Sequence, residues 1–553
     1  MSADGPPPAW PDALRFAAEP VPGRLALIAR ALRHPRRALP ILAARLSGRR
    51  LRAAQAFIAL VGAHHHLDRP SIVPTPSEPD AALAAAWIER IETDTEGTIR
   101  IAPEGAPIVL LTSEGQHIAA GAAAALAAAF ADPDRHAIYG DALFRHSADG
   151  PWLPLLRPAF DRDYLRTVDY LGPVIALRRA SVTGIEVVPG AAALDLTLAI
   201  ADRFGPAAVR HLPRILSFGS CEARGEGRTA RREAVRRDLD RAGEGGTPVG
   251  LGQDGVIRLD RPLPEPRPLV SLIVPTRDRL DLLRPCIESL RHRTDWSAKE
   301  ILICDNDSRD PETLAYFRTL EAEAEGAARV VACPGPFDFA AINNRVATQA
   351  RGRLLAFINN DVEAEAPDWL ERMVREALRP EIGAVGARLV DGEGRIQHGG
   401  IVLGTGGLVT HSHRHFAGDA AGYLSALRAT RSVSAVTAAC LVIEADKFAR
   451  VGGFDASTFV IDFNDVDLCL RLNAVGLRTL YVGAARLHHR ESASRRPSPM
   501  AAARHRAEVE ALKKRWGPLL AQDPHYHPGL DPDLSTHLRL RRDWTGLEPV
   551  QPR

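Results

Sequence analysis

Three apolar segments that begin at Pro268, Glu300 and Leu354 each end in polar side chains. The polar residues at their ends are Thr276, Arg277, Asp305, Asn360 and Asp361. Between the first two segments, leucine and isoleucine recur at helical spacing, so the strand, helix and strand predict a right-handed βαβ unit of a parallel sheet. Ligands of such sheets bind at the carboxyl ends of the strands. The sequence therefore predicts an α/β fold whose ligand site is built from these strand ends.

A second stretch, from Phe463 to Arg471, places two carboxylates, Asp465 and Asp467, at the start of a helical pattern. Residues 434–440, which precede it, are apolar and predict a strand. A helix N-terminus stabilises negative charge, so a carboxylate held there is suited to act as a general base. The alternative for either aspartate is a helix N-cap.

From about residue 268 to 496 these segments resemble a family 2 glycosyltransferase of the GT-A fold, in its rhamnosyltransferase-like branch. The matching blocks, in chain order, are VSLIVPTRDR, ILICDNDS, FDFAAINN, FINNDVE, IQHGGIVLG, AVTAACLVI, GGFD, FNDVDLCLRL and HHRESASR. The chain departs from the family pattern at Asp338, where asparagine is usual, at Ala438, where glycine is usual, and at 488–490, which read His-His-Arg where Tyr-His-His is common. The resemblance implies a Rossmann-like, mostly parallel mixed sheet flanked by helices.

The resemblance also implies roles for individual residues. Asp465 would deprotonate the acceptor hydroxyl, with inversion at the sugar. Asp361, in an Asn-Asn-Asp variant of the DxD motif, and His489 would hold Mg²⁺ or Mn²⁺. The residues implied for the nucleotide pocket are Pro275, Thr276, Arg277, Asp305 and Asn360. The alternative for His489 is a solvent-exposed basic residue.

Two further residues are expected on the acceptor side. Asp467 is expected to cap and orient rather than to react, since its helical neighbours are apolar. His398, together with the histidines at 411, 413 and 415, would line a loop for the acceptor or the diphosphate. The alternative is that His411, His413 and His415 form one face of an exposed strand.

An internal match indicates that the fold is present twice. The matching pairs of segments are 110–115 with 356–361, 137–144 with 383–390, and 194–198 with 466–470. Residues 76–225 are therefore predicted to form a degenerate GT-A-like copy. It is expected to lack the opening βαβ unit, because no buried strand pair precedes Ile108.

The degenerate copy lacks the chemistry implied for the second. The residues that stand opposite Asp361, Asp465 and His489 are Gly115, Ala193 and Ser217. Without a metal ligand or a base this copy cannot run the reaction. Two interpretations are open, a packing platform and a surface that binds an acceptor or glycan.

The first part of the chain is basic. Nine arginines lie from Arg24 to Arg52, and no acidic residue follows until Asp68. Interleaved with leucine and isoleucine, this stretch is typical of binding to a membrane surface. The alternative is a solvated helix pair broken near Pro35 and Pro40.

These patterns divide the 553 residues into five segments. They are a basic amphipathic helical segment (1–75), the degenerate copy (76–225), a linker (226–267), the catalytic domain (268–500) and a C-terminal helix and tail (501–553). The formal net charge of +2 gives no overall field for nucleic acid. The six cysteines show no CxxC pair, so reduced thiols are expected. Without a long apolar run or a signal-peptide pattern, we expect a cytoplasmic protein, peripheral on the inner face of the membrane if the basic segment binds there.

The expected function is the transfer of a sugar from a nucleoside diphosphate to a cell-surface polysaccharide or a lipid-linked glycan. Rhamnose is suggested by the resemblance alone. A nucleotidyltransferase is disfavoured, because VPTRDR lacks the glycines of a triphosphate loop. A non-catalytic glycan-binding or scaffold protein is the remaining alternative, and the joint presence of Asp305, Asp361, Asp465 and His489 argues against it.

Overall fold

The computed structural model describes most of the chain. The described residues are 24–33, 35–46, 79, 83, 86–93, 101–145, 152–220, 227–323, 328–490, 499–532, 537, 540, 541, 544 and 546. They form two compact units. Unit 1 takes the described residues up to Arg261, the segment Ala421–Ala429 and the residues from Pro524 onward, whereas unit 2 takes Pro262–Ala420 and Thr430–Asp523.

Unit 1 is built on a mixed sheet. Its strands are β1 (Ile88–Thr93), β2 (Ile108–Ser113), β3 (Gln116–Ile118), β4 (Ala137–Arg145), β5 (Leu153–Leu155), β6 (Val174–Arg178), β7 (Val209–Ser220), β8 (Val249–Leu251) and β9 (Ile257–Leu259). The order of the main sheet is β1-β2-β6-β4-β7-β3, with β5 beside β4, and β8 and β9 form a separate hairpin. The central strands β2 and β4 are buried along nearly their whole length, which explains their continuous apolar sequence.

The helices of unit 1 cover this sheet or precede it. They are α1 (Arg24–Arg33), α2 (Pro35–Leu46), α3 (Ala122–Phe130), α4 (Arg162–Thr167), α5 (Arg179–Val182), α6 (Ala192–Phe204) and α7 (Arg228–Arg241). Of the predicted helical segment 1–75, only α1 and α2 lie within the described residues. Among the described helices of the whole chain, none combines the length and the apolar character that a membrane span requires.

In the described part of the chain, a single strand precedes Ile108, where the sequence predicted no buried strand pair. β1 pairs in parallel with β2, with Ile88 beside Ile108. This strand has a weak apolar pattern because β1 lies at the edge of the sheet, and edge strands carry exposed charges among their apolar residues.

Most of the predicted linker 226–267 is folded. It contains α7, whose apolar face is buried through Val235 and Leu239, and the hairpin of β8 and β9. The fully buried Asp238 of α7 accepts from Arg162 and Arg166 of α4, at 2.6 Å each. The segment predicted to be a linker therefore supplies Asp238 to a buried ion-pair network.

The described residues from Pro524 onward belong to unit 1, whereas the sequence predicted only a tail after the C-terminal helix. Leu530 forms an antiparallel bridge with Leu540. In addition, the backbone N–H of Ile215 in β7 donates to the carbonyl of Gly546 at 2.7 Å. The proline-rich stretch after Pro524 shows no helical or strand period, so the sequence pattern could not assign it to unit 1.

Unit 2 is built on a ten-stranded mixed sheet. Its strands are β10 (Val270–Thr276), β11 (Lys299–Asp305), β12 (Ala328–Ala332), β13 (Leu354–Ile358), β14 (Val362–Ala364), β15 (Ile382–Val390), β16 (Ile396–His398), β19 (Thr430–Ser432), β20 (Cys440–Glu444) and β21 (Arg478–His489), beside a hairpin of β17 (Ile401–Leu403) and β18 (Val409–His411). The order is β12-β11-β10-β13-β20-β15-β21-β14, with β16 beside β15 and β19 beside β21. β10 runs parallel to both β11 and β13, which confirms the predicted βαβ unit.

Helices cover both faces of this sheet. They are α8 (Leu280–His292), α9 (Pro311–Ala322), α10 (Phe339–Ala347), α11 (Trp369–Ala377), α12 (Ala445–Arg450), α13 (Asn464–Ala474) and α14 (Pro499–Leu520). One apolar layer contains residues of α8, α9 and α11, and the other contains residues of α10, α13 and α14. The five described cysteines all belong to unit 2 and are buried and free of disulfides, as expected for reduced thiols.

The predicted strand at 434–440 is wrong for all but its last residue. β20 begins at Cys440, and Ser434–Ala439 is a loop. The backbone N–H of Ala438 donates to a side chain, the carboxylate of Asp465, rather than to a neighbouring strand. Ala435 of this loop forms an isolated bridge with Ile401. The loop is apolar because it is buried, and burial outside a continuous strand cannot be distinguished from a strand by sequence pattern alone.

Candidate active site

The carboxyl ends of β10, β11 and β13 bring three predicted residues together. Thr276 and Asp305 are direct neighbours in the pairing of β10 with β11. The amide of Asn360, just after β13, donates to the Thr276 hydroxyl at 2.9 Å. Asp305 accepts the N–H of Ser308 at 2.9 Å, which fixes its carboxylate at the end of the strand. The three residues thus form one polar edge.

The turn between β10 and α8 has an uncommon backbone. Pro275 is buried within β10 and Arg277 is exposed beyond it. Asp278 and Arg279 then both adopt the left-handed conformation, with φ of 53° and 55°. Such residues are costly and cluster at active sites and ligand clamps. Nothing in the sequence pattern pointed to this strained turn beside the predicted nucleotide pocket.

Asp361 and His489 lie side by side at the same edge of the sheet. β14 pairs with β21 so that Val362 stands beside His489, and Oδ1 of Asp361 lies 3.1 Å from Nε2 of His489. Both side chains are buried, which excludes an exposed basic role for His489. Within the described residues, neither Oδ1 of Asp361 nor Nδ1 of His489 has a hydrogen-bond partner. A carboxylate oxygen that is buried, close to an imidazole nitrogen and not hydrogen-bonded fits a shared divalent cation.

Asp465 lies at the start of α13, as the sequence predicted. Its Oδ2 accepts the N–H of Ala438 at 3.0 Å and its Oδ1 accepts the N–H of Val466 at 2.8 Å. Burial raises its pKa above the ordinary value of an aspartate, although the N–H donors of Ala438 and Val466 oppose the rise. Phe463, which precedes the helix, is left-handed with φ 62°. A held carboxylate of raised pKa is what a general base requires.

Asp467 has a different environment from Asp465. It is fully buried and accepts from Nε of Arg471 at 2.7 Å, from Nη1 of Arg515 at 2.8 Å and from Nε1 of Trp516 at 3.0 Å. Because Asp467 is fully buried, its carboxylate cannot contact an acceptor, whereas Asp465 is partly exposed. Asp467 joins α13 to α14.

His398 is buried and paired with a second histidine. Its Nδ1 lies 2.9 Å from Nδ1 of His411, and its Nε2 has no hydrogen-bond partner within the described residues. Burial lowers the pKa of His398 to about 3, and it lowers the pKa of His411 as well. Both imidazoles are therefore neutral at physiological pH. The histidines at 411, 413 and 415 do not form one exposed strand face, because His413 is fully buried and left-handed.

Three buried side chains in unit 1, Asp141, His211 and His527, form a second cluster that a cation would suit. Nε2 of His211 lies 3.0 Å from Oδ1 of Asp141, and Nε2 of His527 lies 2.9 Å from Oδ2. Nδ1 of His527 accepts the backbone N–H of Gly529 at 2.9 Å. A neutral imidazole whose Nδ1 accepts carries its proton on Nε2, so His527 donates to Asp141 and presents no lone pair to a metal. We therefore interpret the cluster as a hydrogen-bonded clasp.

Unit 1 lacks the site residues of unit 2. Gly115 occupies the turn between β2 and β3, as Asp361 does between β13 and β14. Ala193 is the second residue of α6, as Asp465 is of α13. For His489 the sequence overlay named Ser217, but the sheet register corrects it to Gly219, which pairs with the first residue of β3 as His489 pairs with the first residue of β14.

Residues 271–399 match the family described as Glycosyl transferase family 2. This segment includes Thr276, Asp305, Asn360 and Asp361, the residues of the polar edge and of the cation pair. Unit 2 contains a family 2 glycosyltransferase domain. The matched segment ends before Asp465 and His489, so the roles of these two residues rest on the geometry above.

Known proteins resemble the chain over a wider range. It is 37% identical over 398 residues to the uncharacterized protein y4gI of Sinorhizobium fredii (strain NBRC 101917 / NGR234), covering 68% of this chain and 43% of that protein. It is 36% identical over 389 residues to the O-antigen biosynthesis protein RfbC of Myxococcus xanthus, covering 68% of this chain and 30% of that protein. The matched part of the chain therefore spans less than half the length of either relative.

Among solved structures, the chain is similar to the mannosyltransferase PcManGT from Pyrobaculum calidifontis, which was solved in complex with GDP-Man and Mn²⁺. The TM-score is 0.36 and the sequence identity is 16%, over 51% of this chain and 70% of the mannosyltransferase.

Proposed function

We propose that the chain is an inverting, metal-dependent glycosyltransferase that moves a sugar from a nucleoside-diphosphate donor to a glycan acceptor. The observation that carries this proposal is the buried pair of Asp361 and His489 at the sheet edge that Thr276 and Asp305 define. Within the described residues, Oδ1 of Asp361, which faces His489, has no hydrogen-bond partner. A family 2 glycosyltransferase domain over 271–399 supports the same reaction class. The similarity to an O-antigen biosynthesis protein supports a polysaccharide or lipid-linked glycan as the acceptor.

The proposed donor pocket is the polar edge of unit 2. Asp305 would accept hydrogen bonds from the base or ribose, and Thr276 and Asn360, already joined to each other, would hold the ribose and phosphate side. Pro275 and Arg277 would complete the wall at the end of β10. Rhamnose is the proposed sugar, on the resemblance of the sequence blocks alone.

Asp361 and His489 would hold the divalent cation. A bound cation would neutralise the charge that develops on the leaving diphosphate. Two protein ligands make an incomplete shell, so donor phosphates and water would fill the rest. Because one ligand is an imidazole nitrogen, the pair suits Mn²⁺ better than Mg²⁺, which prefers oxygen ligands.

Asp465 would take the proton from the acceptor hydroxyl. Its carboxylate is fixed by two backbone N–H groups, so it needs little reorganisation when it accepts the proton. Its raised pKa brings its basicity closer to that required at neutral pH. The neutral His398 and His411 pair would lie on the acceptor side, with His398 holding His411 in place.

For unit 1 we propose a structural role. Gly115, Ala193 and Gly219 cannot supply a metal ligand or a base, while the buried aspartates of its helices, Asp195 and Asp238, are paired with arginines of the same unit. Binding of an acceptor glycan by unit 1 is the competing interpretation. It would be favoured if a variant of an exposed residue such as Glu114 weakened acceptor binding without changing donor binding.

The proposal is tested by calorimetry of donor binding. Wild-type protein would be titrated with dTDP-rhamnose and with a panel of UDP- and GDP-sugars, with and without Mn²⁺. We expect one donor to bind in a Mn²⁺-dependent manner, Asp361→Ala to abolish that dependence, and Glu114→Ala to bind like wild type. If folded protein binds no donor under any condition, the chain is a scaffold or a glycan-binding protein.

A further inference from the structure

The two N-terminal helices expose their large apolar side chains. The exposed fractions are 55% for Ile28 and 77% for Leu32 in α1, and 63%, 58% and 81% for Leu39, Leu42 and Leu46 in α2. These are five of the ten large apolar side chains that are exposed among the described residues. A helix of a soluble protein normally turns such residues toward a core. This short segment therefore has an apolar surface that the described protein does not cover.

The spacing of these residues places them on one side of each helix. Ile28 and Leu32 are four apart, and Leu39, Leu42 and Leu46 follow at three and four. Residues at these spacings are neighbours on a helix surface. By contrast, the small residues Ala29, Ala31 and Ala38 are only half-exposed, although Ala43 is exposed and Ile41 is half-exposed. In a solvated pair of helices the opposite distribution is expected.

The charge of the same segment is of one sign. Its arginines are Arg24, Arg30, Arg33, Arg36, Arg37 and Arg45, and three more follow at 49, 50 and 52. No aspartate or glutamate lies between Pro20 and Leu67. A cationic, acid-free segment with an apolar stripe complements a surface that combines negative charge with accessible hydrocarbon. A second copy of this segment would meet its own positive charge, so charge complementarity favours a bilayer over a dimer.

We propose that α1 and α2 dock on the surface of an anionic lipid bilayer, with the exposed leucines and Ile28 among the acyl chains and the arginines at the headgroups. The segment lies on the membrane and does not span it, since the helices are 10 and 12 residues long. This contact is independent of the transfer reaction and would hold unit 1 at the surface where a lipid-linked acceptor would be found.

The test is co-sedimentation of the full chain with vesicles. One set contains phosphatidylcholine alone and the other contains about one third phosphatidylglycerol, which supplies the surface charge. We expect binding to the anionic vesicles, weakened by added salt, and little binding to the neutral ones. Equal binding to both sets, or none to either, overturns the proposal.

Matched variants separate the apolar from the electrostatic contribution. Leu32→Asp combined with Leu42→Asp is expected to weaken binding by a factor on the order of ten or more, because it removes inserted chains and adds negative charge. The control is Met500→Asp on α14, where the side chain is 79% exposed and so similar to Leu32. Arg33→Glu is expected to weaken binding several-fold, and its control is the exposed Arg506→Glu on α14.

Other outcomes are decisive against the proposal. If the leucine variants bind vesicles like wild type, α1 and α2 are not the docking surface. If they instead abolish a concentration-dependent self-association seen by sedimentation without vesicles, a second copy covers these helices. Donor binding by calorimetry is unaffected in every case, so a failure here is distinct from a failure of the proposed transferase.

Discussion

Units 1 and 2 share six strand pairings and differ at the positions that carry the proposed chemistry. In unit 1 the pairs β1-β2 and β4-β7 are parallel, while β2-β6, β4-β6, β3-β7 and β4-β5 are antiparallel. In unit 2 the corresponding pairs β10-β13 and β15-β21 are parallel, while β13-β20, β15-β20, β14-β21 and β15-β16 are antiparallel. The same architecture is therefore compatible with the presence or the loss of the site.

The two units also retain the same buried aspartate. Asp195 in α6 accepts from Arg241 of α7 at 3.3 Å, and Asp467 in α13 accepts from Arg515 of α14 at 2.8 Å. In each case the aspartate joins the helix to the one that follows the last long strand. Residues that hold the fold together thus differ from those that perform the chemistry, although Asp465 and Asp467 are only two positions apart.

Unit 2 has two strands for which unit 1 shows no counterpart in the part of the chain that is described. β11 and β12 extend the sheet beyond β10, and β11 ends at Asp305. In unit 1 the corresponding edge stops at β1. As far as its residues are described, unit 1 therefore lacks the strand that would present the proposed nucleotide contact, in addition to the metal ligands and the base.

The largest expected effect comes from removing the base. Asp465→Asn should lower the turnover number by a factor on the order of 10² or more, because the amide cannot accept the proton. Donor affinity measured by calorimetry should stay close to wild type. Ala193→Asn, the matched change in α6, should leave turnover unchanged.

The pH profile gives an independent readout of the same residue. Since burial holds the pKa of Asp465 above the ordinary 3.8, its charged form is lost as pH falls through this raised value, and activity should decline there, at a higher pH than for an ordinary aspartate. Asp465→Asn should retain its residual rate without this acid limb. An unchanged acid limb in the variant would assign it to another group.

The next-largest expected effect distinguishes the roles of two adjacent histidines. His489 is buried beside Asp361, whereas the neighbouring His488 is partly exposed and lies 3.3 Å from Glu365. His489→Gln should weaken Mn²⁺-dependent donor binding by roughly ten- to a hundred-fold, as expected for loss of a metal-site contact. His488→Gln is the matched control and should bind like wild type. Equal losses in both variants would argue against a specific ligand.

The sequence predicted the parts of this site that have local signals. The ends of β10, β11 and β13 follow from continuous apolar runs that stop at polar residues, and the start of α13 follows from a period of 3.6. The left-handed turn at Asp278 and Arg279 and the loop that holds Asp465 through Ala438 have no such signal. Their conformations are set by contacts with residues distant in sequence, to which a local pattern is insensitive.

A smaller effect is expected for stability. Asp467→Ala leaves Arg471, Arg515 and Trp516 without their acceptor and should cost about 2 kcal/mol, a value limited by the partial exposure of the two arginines. Asp195→Ala should have a similar effect in the other unit. Hydrogen exchange of α13 and of α6 reports the stability of each unit separately, whereas a single unfolding transition would combine the two units. If Asp467→Ala abolished transfer without accelerating exchange in α13, it would have a direct role in the reaction.

The smallest expected effect concerns the clasp of Asp141, His211 and His527, where unit 1 rather than unit 2 has the charged residue. Unit 1 has the buried Asp141 at the position where unit 2 has Ala387, and it uses this charge to hold the C-terminal residues through His527. Burial alone would raise the pKa of Asp141, but His527 and His211 hold it well below its ordinary value. Its contribution to stability is therefore present above the ordinary pKa of an aspartate, about 4, and is lost as pH falls below that.

Exchange of the Gly529 amide reports on this clasp, because that N–H is bonded to Nδ1 of His527. Asp141→Asn turns an acceptor into a donor facing Nε2 of His527, so the amide should exchange several-fold faster at neutral pH, and its remaining protection should no longer fall at acid pH. His211→Gln is expected to have a weaker effect, since His527 keeps its own contact. A chelator should change neither rate. If it accelerated exchange in the wild type, the cluster would hold a metal after all, and unit 1 would have gained a cation site where unit 2 has an apolar core.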